Sequence, residues 1–262
     1  MLDPERYETI AIDKRADGVA LATLNRPDRL NAVNGPMHTE LTRLTREADE
    51  DRDVRVLVIT GAGRAFCAGG DFSGESNWKD SSETIREGRL IVDHLLECTK
   101  PVISAVNGYA MGLGATIALL ADVVYAAQSA VFADTHVSMG IGAGDGGQVI
   151  WPLLMGVNRA KYYLMTGDRL TAAEAERFGL VNFVVEDGRV VEDALAFASR
   201  LARGPARAIS ASKVPINTYI RMISNLVLPL SLSLEEGTMA SSDHREAVQA
   251  FQEKRQATFT GR

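Results

Sequence analysis

The sequence predicts an α/β protein of repeated strand–turn–helix units, closed by a helical C-terminal region. Three observations predict it. Apolar runs of strand length at residues 54–60, 101–106 and 123–127 alternate with stretches of helical spacing. The first two runs each lead into a glycine-rich turn. From residue 190 onward the chain is rich in Ala, Leu and Ser and has few strand signals.

The elements follow in order. Residues 7–13 and 19–24 read as two strands joined at Ala16-Asp17-Gly18, a hairpin signal. Residues 31–50 carry Met37, Leu41, Leu44 and Ala48 at helical spacing. The run 54–60 is apolar almost throughout, as a strand covered on both faces requires. Residues 72–80 are polar and Gly/Ser-rich, which predicts a mobile loop. Residues 82–97 form an amphipathic helix with Ile85, Leu90, Ile91 and Leu95 inward. A short apolar helix follows at 112–120, with short strands at 123–127 and 130–133. Residues 159–180 read as two helices, the second opened by Thr171 with Glu174 three residues on, a capping box. Residues 181–185 are a further strand. The tail divides into helices at 190–203, 205–224 and 229–254, which sets a core over 1–204 apart from a helical oligomerisation region over 205–262.

Composition narrows the function classes. A chain of 262 residues with 46% hydrophobic content can bury a full core. Lys and Arg number 28 against 34 Asp and Glu, a net charge of −6, which gives no sign of a nucleic-acid or membrane-surface partner. Cys67 and Cys98 are not a CxxC pair, so neither a disulfide framework nor a metal site is expected. The start, Met1 to Arg6, lacks a basic head and an apolar run, and no apolar stretch is long enough to span a bilayer. The expectation is a soluble, cytoplasmic protein.

Chemistry concentrates in two turns. The run 54–60 leads into Arg64-Ala65-Phe66-Cys67-Ala68-Gly69-Gly70-Asp71, and a second stretch reads Val106-Asn107-Gly108-Tyr109-Ala110-Met111-Gly112-Leu113-Gly114. Backbone N–H donors from two such turns, meeting at one point, make an oxyanion hole for a carbonyl that becomes an enolate or alkoxide.

These segments, with Leu24-Asn25-Arg26-Pro27, Gly167-Asp168-Arg169-Leu170-Thr171-Ala172, Gly179-Leu180-Val181-Asn182 and Phe251-Gln252-Glu253-Lys254-Arg255, resemble the enoyl-CoA hydratase/isomerase (crotonase) superfamily nearly end to end. The resemblance implies a spiral of strand–strand–helix turns, a homotrimer or dimer of trimers, and an acyl-CoA thioester as ligand, with coenzyme A part of the substrate and no separate cofactor. By position it implies Gly70 and Leu113 as the oxyanion donors, Leu113 standing where the family most often has glycine. It sets Ala65, Cys67, Ala68, Asp71 and Phe72 of the first turn around the ligand. It raises a phosphate-binding role for Arg26 and for Lys254, the latter donated by a neighbouring subunit.

The chain departs from that pattern at the acid–base positions. The family's hydratases use two glutamates, which would fall at Thr116 and His136. A threonine is too weak an acid or base; a histidine can move protons near neutrality. Asp145, nine residues after His136 in a glycine-rich loop, is placed to orient it. His38 is a third candidate. His38, His136 and Asp145, with Val149-Ile150-Trp151-Pro152, resemble the 6-oxocamphor-hydrolase-like β-diketone hydrolases, which cleave a C–C bond by a retro-Claisen route without coenzyme A. That branch's histidine at the second turn falls at Leu113 and is absent.

Plainer roles stand beside these. Asp145 also reads as an N-cap for a helix ending near Met155, His136 as a partly buried histidine, His38 as a surface helix residue, and His94 and His244 as solvated. Cys67 reads as packing behind the turn, and Asp71 as a side chain tying that turn to its own backbone. Three functions are therefore weighed. An acyl-CoA enzyme that stabilises an enolate, with His136 as base, is preferred to a CoA-independent β-diketone hydrolase and to a catalytically silent acyl-CoA-binding protein.

Overall fold

The computed structural model describes residues 1–74 and 76–262. Their strands form two sheets. The larger has the order β1 (Ile10–Lys14), β2 (Val19–Leu24), β3 (Val56–Gly61), β5 (Val102–Val106), β7 (Val123–Ala127), β10 (Phe183–Val185). The smaller has the order β4 (Ala65–Cys67), β6 (Tyr109–Met111), β8 (Val131–Ala133), β9 (Leu170–Thr171). Only the β1–β2 and β8–β9 pairs are antiparallel.

Each successive unit gives one strand to each sheet: β3 then β4, β5 then β6, β7 then β8. Helices α2 (Ser81–Glu97) and α3 (Leu113–Leu120) close the first two units. The third ends in a short 3-10 turn, His136–Met139, and α4 (Gly147–Met155). This is the spiral of strand–strand–helix turns that the resemblance implied. All residues of β3 and β5 are buried, and α7 (Val190–Ala202) covers them from one side. That double coverage is why these strands read as unbroken apolar runs.

Several boundaries move. The helix expected over 31–50 is α1 (Gly35–Glu50), capped by Asn34, whose side chain accepts from the N–H of Met37 at 3.1 Å. Residues before it serve the turn instead. Leu30 and Asn31 are left-handed, and the Asn31 amide donates to the carbonyls of Ala62 and Ala65 at 2.9 and 2.8 Å. The polar stretch 72–80 is not simply a solvated loop. Its Ser76 is buried and the Trp78 Nε1–H donates to the Asp71 carbonyl; Glu75 lies outside the described residues. Helices α5 (Val157–Thr166) and α6 (Ala172–Phe178) appear as expected, with the Thr171–Glu174 capping box formed.

The tail corrects the expected break at Pro229. Helix α8 runs unbroken over Ala206–Met239, through Pro215 and Pro229. A proline inside a helix orphans the carbonyl four residues earlier. Here those residues, Ala211 and Asn225, are exposed, so water can satisfy them. The chain breaks instead at Ser241, whose hydroxyl accepts from the His244 N–H and opens α9 (Ser242–Glu253). Among the described residues no helix is long and apolar enough to cross a membrane.

Candidate active site

Register brings the two glycine-rich turns together. Strands β4 and β6 are parallel neighbours, with Cys67 paired to Ala110. Gly70 and Leu113 each lie three residues beyond that pair, at the same ends of adjacent strands. Adjacent strands are about 4.8 Å apart, so the turns must touch. Gly69 lets them do so: at φ +87°, a Cβ there would stand 3.0 Å from the Met111 carbonyl oxygen. The main chain around Gly70 is held by Val33, whose N–H donates to the Gly69 carbonyl and whose carbonyl accepts from the Asp71 N–H.

Among the described residues, neither the Gly70 N–H nor the Leu113 N–H has an acceptor within the chain. Leu113 is the first residue of α3, where a free N–H and the positive end of the helix dipole coincide. Both residues line one cavity of about 410 Å³. The buried Leu113 side chain narrows it.

A polar cluster lines the same cavity. His136 stands between carboxylates: Nδ1 is 2.6 Å from Asp134 Oδ1, Nε2 is 3.2 Å from Asp145 Oδ2, and Glu235 Oε1 lies 4.0 Å from Nε2. Burial opposes a charged imidazole, but Asp145 and Asp134 outweigh it and hold the proton on His136 well above the ordinary histidine range. Burial also opposes charge on Asp145, yet the His136 cation and the Thr116 hydroxyl keep it ionised. Glu235 goes the other way. Burial, then repulsion from Asp145, raises its carboxyl to about 8, so it is a neutral acid at neutral pH. Its Oε2 is buried without a hydrogen-bond partner among the described residues. Gly144 makes room for it: a Cβ there would fall 2.5 Å from Glu235 Oε2 and 2.6 Å from the Ser231 carbonyl oxygen.

Two expectations are corrected here. Asp145 is not a helix cap: α4 begins at Gly147 behind Gly146, whose φ of 113° turns the chain, and no side chain caps it. Asp145 instead reaches Thr116 Oγ1 at 3.2 Å and the His136 ring. Its carboxylate therefore stands against Thr116, one of the two positions at which the resemblance implied a glutamate. The second correction concerns His136 as base. Its ring is protonated and faces a carboxylate at each nitrogen, so it has no lone pair to offer.

His136, Asp145 and Glu235 also offer atoms within 4.8 Å of one another, a spacing that suits a metal ion.

The other candidates divide. His38 is buried, not a surface residue; its Nδ1 lies 3.0 Å from Glu87 Oε2, and its ring lines the cavity. Phe72 and Asp71 line it too, Asp71 accepting from the N–H of Ser73 as a turn-tying side chain should. Arg26 is committed to that turn, pairing with Asp71 at 2.9 Å and donating to the Ala32 carbonyl. Ala65, Cys67 and Ala68 do not line the cavity. Ala65 and Cys67 are buried behind the turn, and burial pushes the Cys67 thiol up to about 12, which fits packing. Lys254 caps the C-terminal end of α9, exposed and outside this cavity. His94 and His244 are not simply solvated: His244 lines the cavity and its Nδ1 lies 2.8 Å from the Met139 carbonyl oxygen, while His94 bonds the Thr42 carbonyl.

Sequence reasoning missed Asp134, Glu87 and Glu235. Asp134 had a readable signal, an acid two residues before a histidine. Glu235 had none: it lies in a long polar-and-apolar helix, where an acid reads as solvated. Its raised pKa gives a test. Protonation of Glu235 favours the fold fully below the ordinary carboxyl value of about 4.3, and that contribution is lost as pH rises through about 8. Between about pH 5 and about pH 8, melting temperature should fall more in wild type than in Glu235→Gln, and above about pH 8 the difference should level off. Parallel curves would show that Glu235 does not titrate there.

Comparison with known proteins gives the same direction. Residues 14–262 match the family described as enoyl-CoA hydratase/isomerase. A probable enoyl-CoA hydratase of Rhodobacter capsulatus is 39% identical over 98% of this chain and 99% of its own. The 1,2-epoxyphenylacetyl-CoA isomerase of Escherichia coli is 36% identical over 94% of this chain and 96% of its own. A solved enoyl-CoA hydratase/isomerase from Mycobacterium paratuberculosis superposes with a TM-score of 0.87 at 39% identity, covering 93% of this chain and 98% of that one.

Proposed function

Because the chain belongs to the enoyl-CoA hydratase/isomerase family, we propose that it adds water to a 2-enoyl-CoA thioester, reversibly, through an enolate held between the N–H groups of Gly70 and Leu113. The observation that supports this reading is that Gly70 and Leu113, whose N–H groups have no acceptor among the described residues, line one cavity with a mixed acid–base cluster. Such donors act on charge that develops only in the transition state.

Hydration needs two proton transfers. Asp145 takes a proton from water as the oxygen bonds to the β-carbon. The π electrons move to the thioester oxygen, and Glu235 protonates the α-carbon as the enolate collapses. Asp145 has then gained a proton from water, and Glu235 has lost one to the α-carbon. His136, 3.2 Å from one and 4.0 Å from the other, is the bridge that returns it. The ionised Asp145, the neutral Glu235 and the cation between them support this division of labour. Coenzyme A is part of the substrate, and the thioester names of the relatives favour this reading over diketone cleavage without it.

The test is turnover of 2-enoyl-CoA thioesters of several chain lengths, followed by loss of the conjugated thioester absorbance, with product analysis to separate hydration from double-bond migration. No turnover of any of them would remove the hydration reading. Calorimetry with acetyl-CoA then asks whether a thioester is bound at all.

We also propose that residues 205–262 assemble the chain into a trimer or a dimer of trimers. Helix α8 leaves a row of apolar side chains uncovered in a lone subunit. Its buried face carries Leu228 and Leu232 with Asn217, Ser224, Ser231 and Glu235, while Ile216, Tyr219, Met222, Leu226, Leu230 and Leu234 are 55–78% exposed. An apolar stripe of that length calls for a partner. Light scattering should give a mass three or six times that of the chain, and Leu226→Lys should shift it downward. A monomeric wild type would sink the proposal.

A further inference from the structure

A second acid–imidazole pair adjoins the cavity, with His38 in its lining, and has no part in the proton transfers above. His38 is 4% exposed and Glu87 3%. The Glu87 carboxylate is fully engaged: Oε2 with His38 Nδ1 at 3.0 Å, Oε1 with Thr39 Oγ1 at 2.9 Å and Lys79 Nζ at 2.6 Å. Burial opposes its charge, but these partners hold it down to about 2, so it is ionised. An ionised carboxylate only accepts, so the proton of His38 is at Nδ1. Trp78, edge-on at 5.3 Å between ring centroids, fixes the imidazole plane. Trp78 is itself tied to the Asp71 carbonyl by its Nε1–H.

One nitrogen is left over. Among the described residues His38 Nε2 has no hydrogen-bond partner, and the ring lines the same cavity as Gly70, Leu113 and Glu235. The Nδ1–H tautomer leaves Nε2 as an acceptor, and Lys79 Nζ stands on the other oxygen of Glu87. Ile85, Leu232 and Met239 line the same cavity; they suit a carbon chain and have no side-chain proton to give Nε2. A plain alkyl group filling this wall would displace water from Nε2 and leave it unsatisfied.

We propose that His38, oriented by Glu87, selects acyl-CoA thioesters whose acyl chain bears a hydroxyl beyond the reacting double bond, with that hydroxyl donating to Nε2. This rests on the thioester reading above and names its substrate class. A keto group cannot donate to Nε2.

The experiment compares kcat/KM for hex-2-enoyl-CoA and its derivatives hydroxylated at each carbon beyond the double bond, with the keto analogues alongside. Burying an unsatisfied acceptor costs enough that one hydroxylated isomer should be preferred about 10- to 100-fold by wild type. In His38→Phe, which keeps a ring against Trp78, that preference should collapse to within about threefold. His38→Gln, which can place an acceptor near the Nε2 position, should recover part of it. Turnover of these thioesters with no hydroxyl preference in wild type overturns the inference and leaves the hydration reading standing. So does a preference for the keto analogue. The absence of binding or turnover of every thioester would instead remove the reading it rests on. Should His38→Phe fail to fold, the wild-type series decides alone.

Discussion

Asp145→Asn is expected to lower kcat for enoyl-CoA hydration by about 10²–10⁴-fold, the range for loss of a positioned proton acceptor, with a far smaller change in KM. The amide keeps the shape of the carboxylate and can still accept from His136 and Thr116, but it cannot take a proton. A second effect separates this from simple damage. Repulsion from Asp145 is one cause of the raised Glu235 carboxyl, after burial. With that charge gone, Glu235 should ionise at lower pH, and the fall in melting temperature with rising pH should level off earlier than in wild type. The stability cost itself should be limited, because Asp134 still holds the His136 ring at 2.6 Å. A variant with kcat within about threefold of wild type would show that another group accepts the proton.

Leu113→Pro addresses the other half of the mechanism. Proline is well tolerated at the first position of a helix, where Leu113 stands, and it deletes the N–H without removing the residue. Loss of one oxyanion donor typically costs about 10²–10³ in kcat, or about 2.7–4 kcal/mol. Leu113→Ala controls for the side chain: it keeps the N–H while widening the cavity. The expected result is a deep loss of kcat in the proline variant, a modest change in the alanine variant, and circular dichroism showing both folded. Equal kinetics in the two would mean that the Leu113 N–H does not bind the thioester oxygen. A carbonyl oxygen between two N–H groups gains most when it becomes negative, so the loss should fall on kcat more than on KM.

The two turns were legible because their chemistry is local. Glycines at 69 and 70, and at 112 and 114, announce backbone bared to a ligand whatever the rest of the chain does. The pairing of His136 with Asp145 was legible for the same reason, being nine residues apart across a glycine-rich loop. The direction of the proton was not. It depends on Asp134 at one ring nitrogen and Asp145 at the other, whose joint charge makes His136 a cation rather than a base, while Glu235, ninety-nine residues further along the chain, stays neutral. His38 was misplaced for a related reason. Its partner, Glu87, is on another helix, and on its own helix a polar residue near the first turn reads as exposed.

By itself the sequence determined the strand–turn–helix alternation, the two donor-bearing turns and the substitution of both acid–base positions, because periodicity and glycine placement are properties of neighbours along the chain. The tertiary structure alone decided that helix α8 runs through two prolines, turns several polar residues inward, and carries Glu235 to the cavity. Helix propensity and amphipathicity assign polar residues to water. Only the packing of α8 against α2 and α4 shows that here Asn217, Ser224, Ser231 and Glu235 are buried beside Leu228 and Leu232 while a row of apolar residues is left exposed.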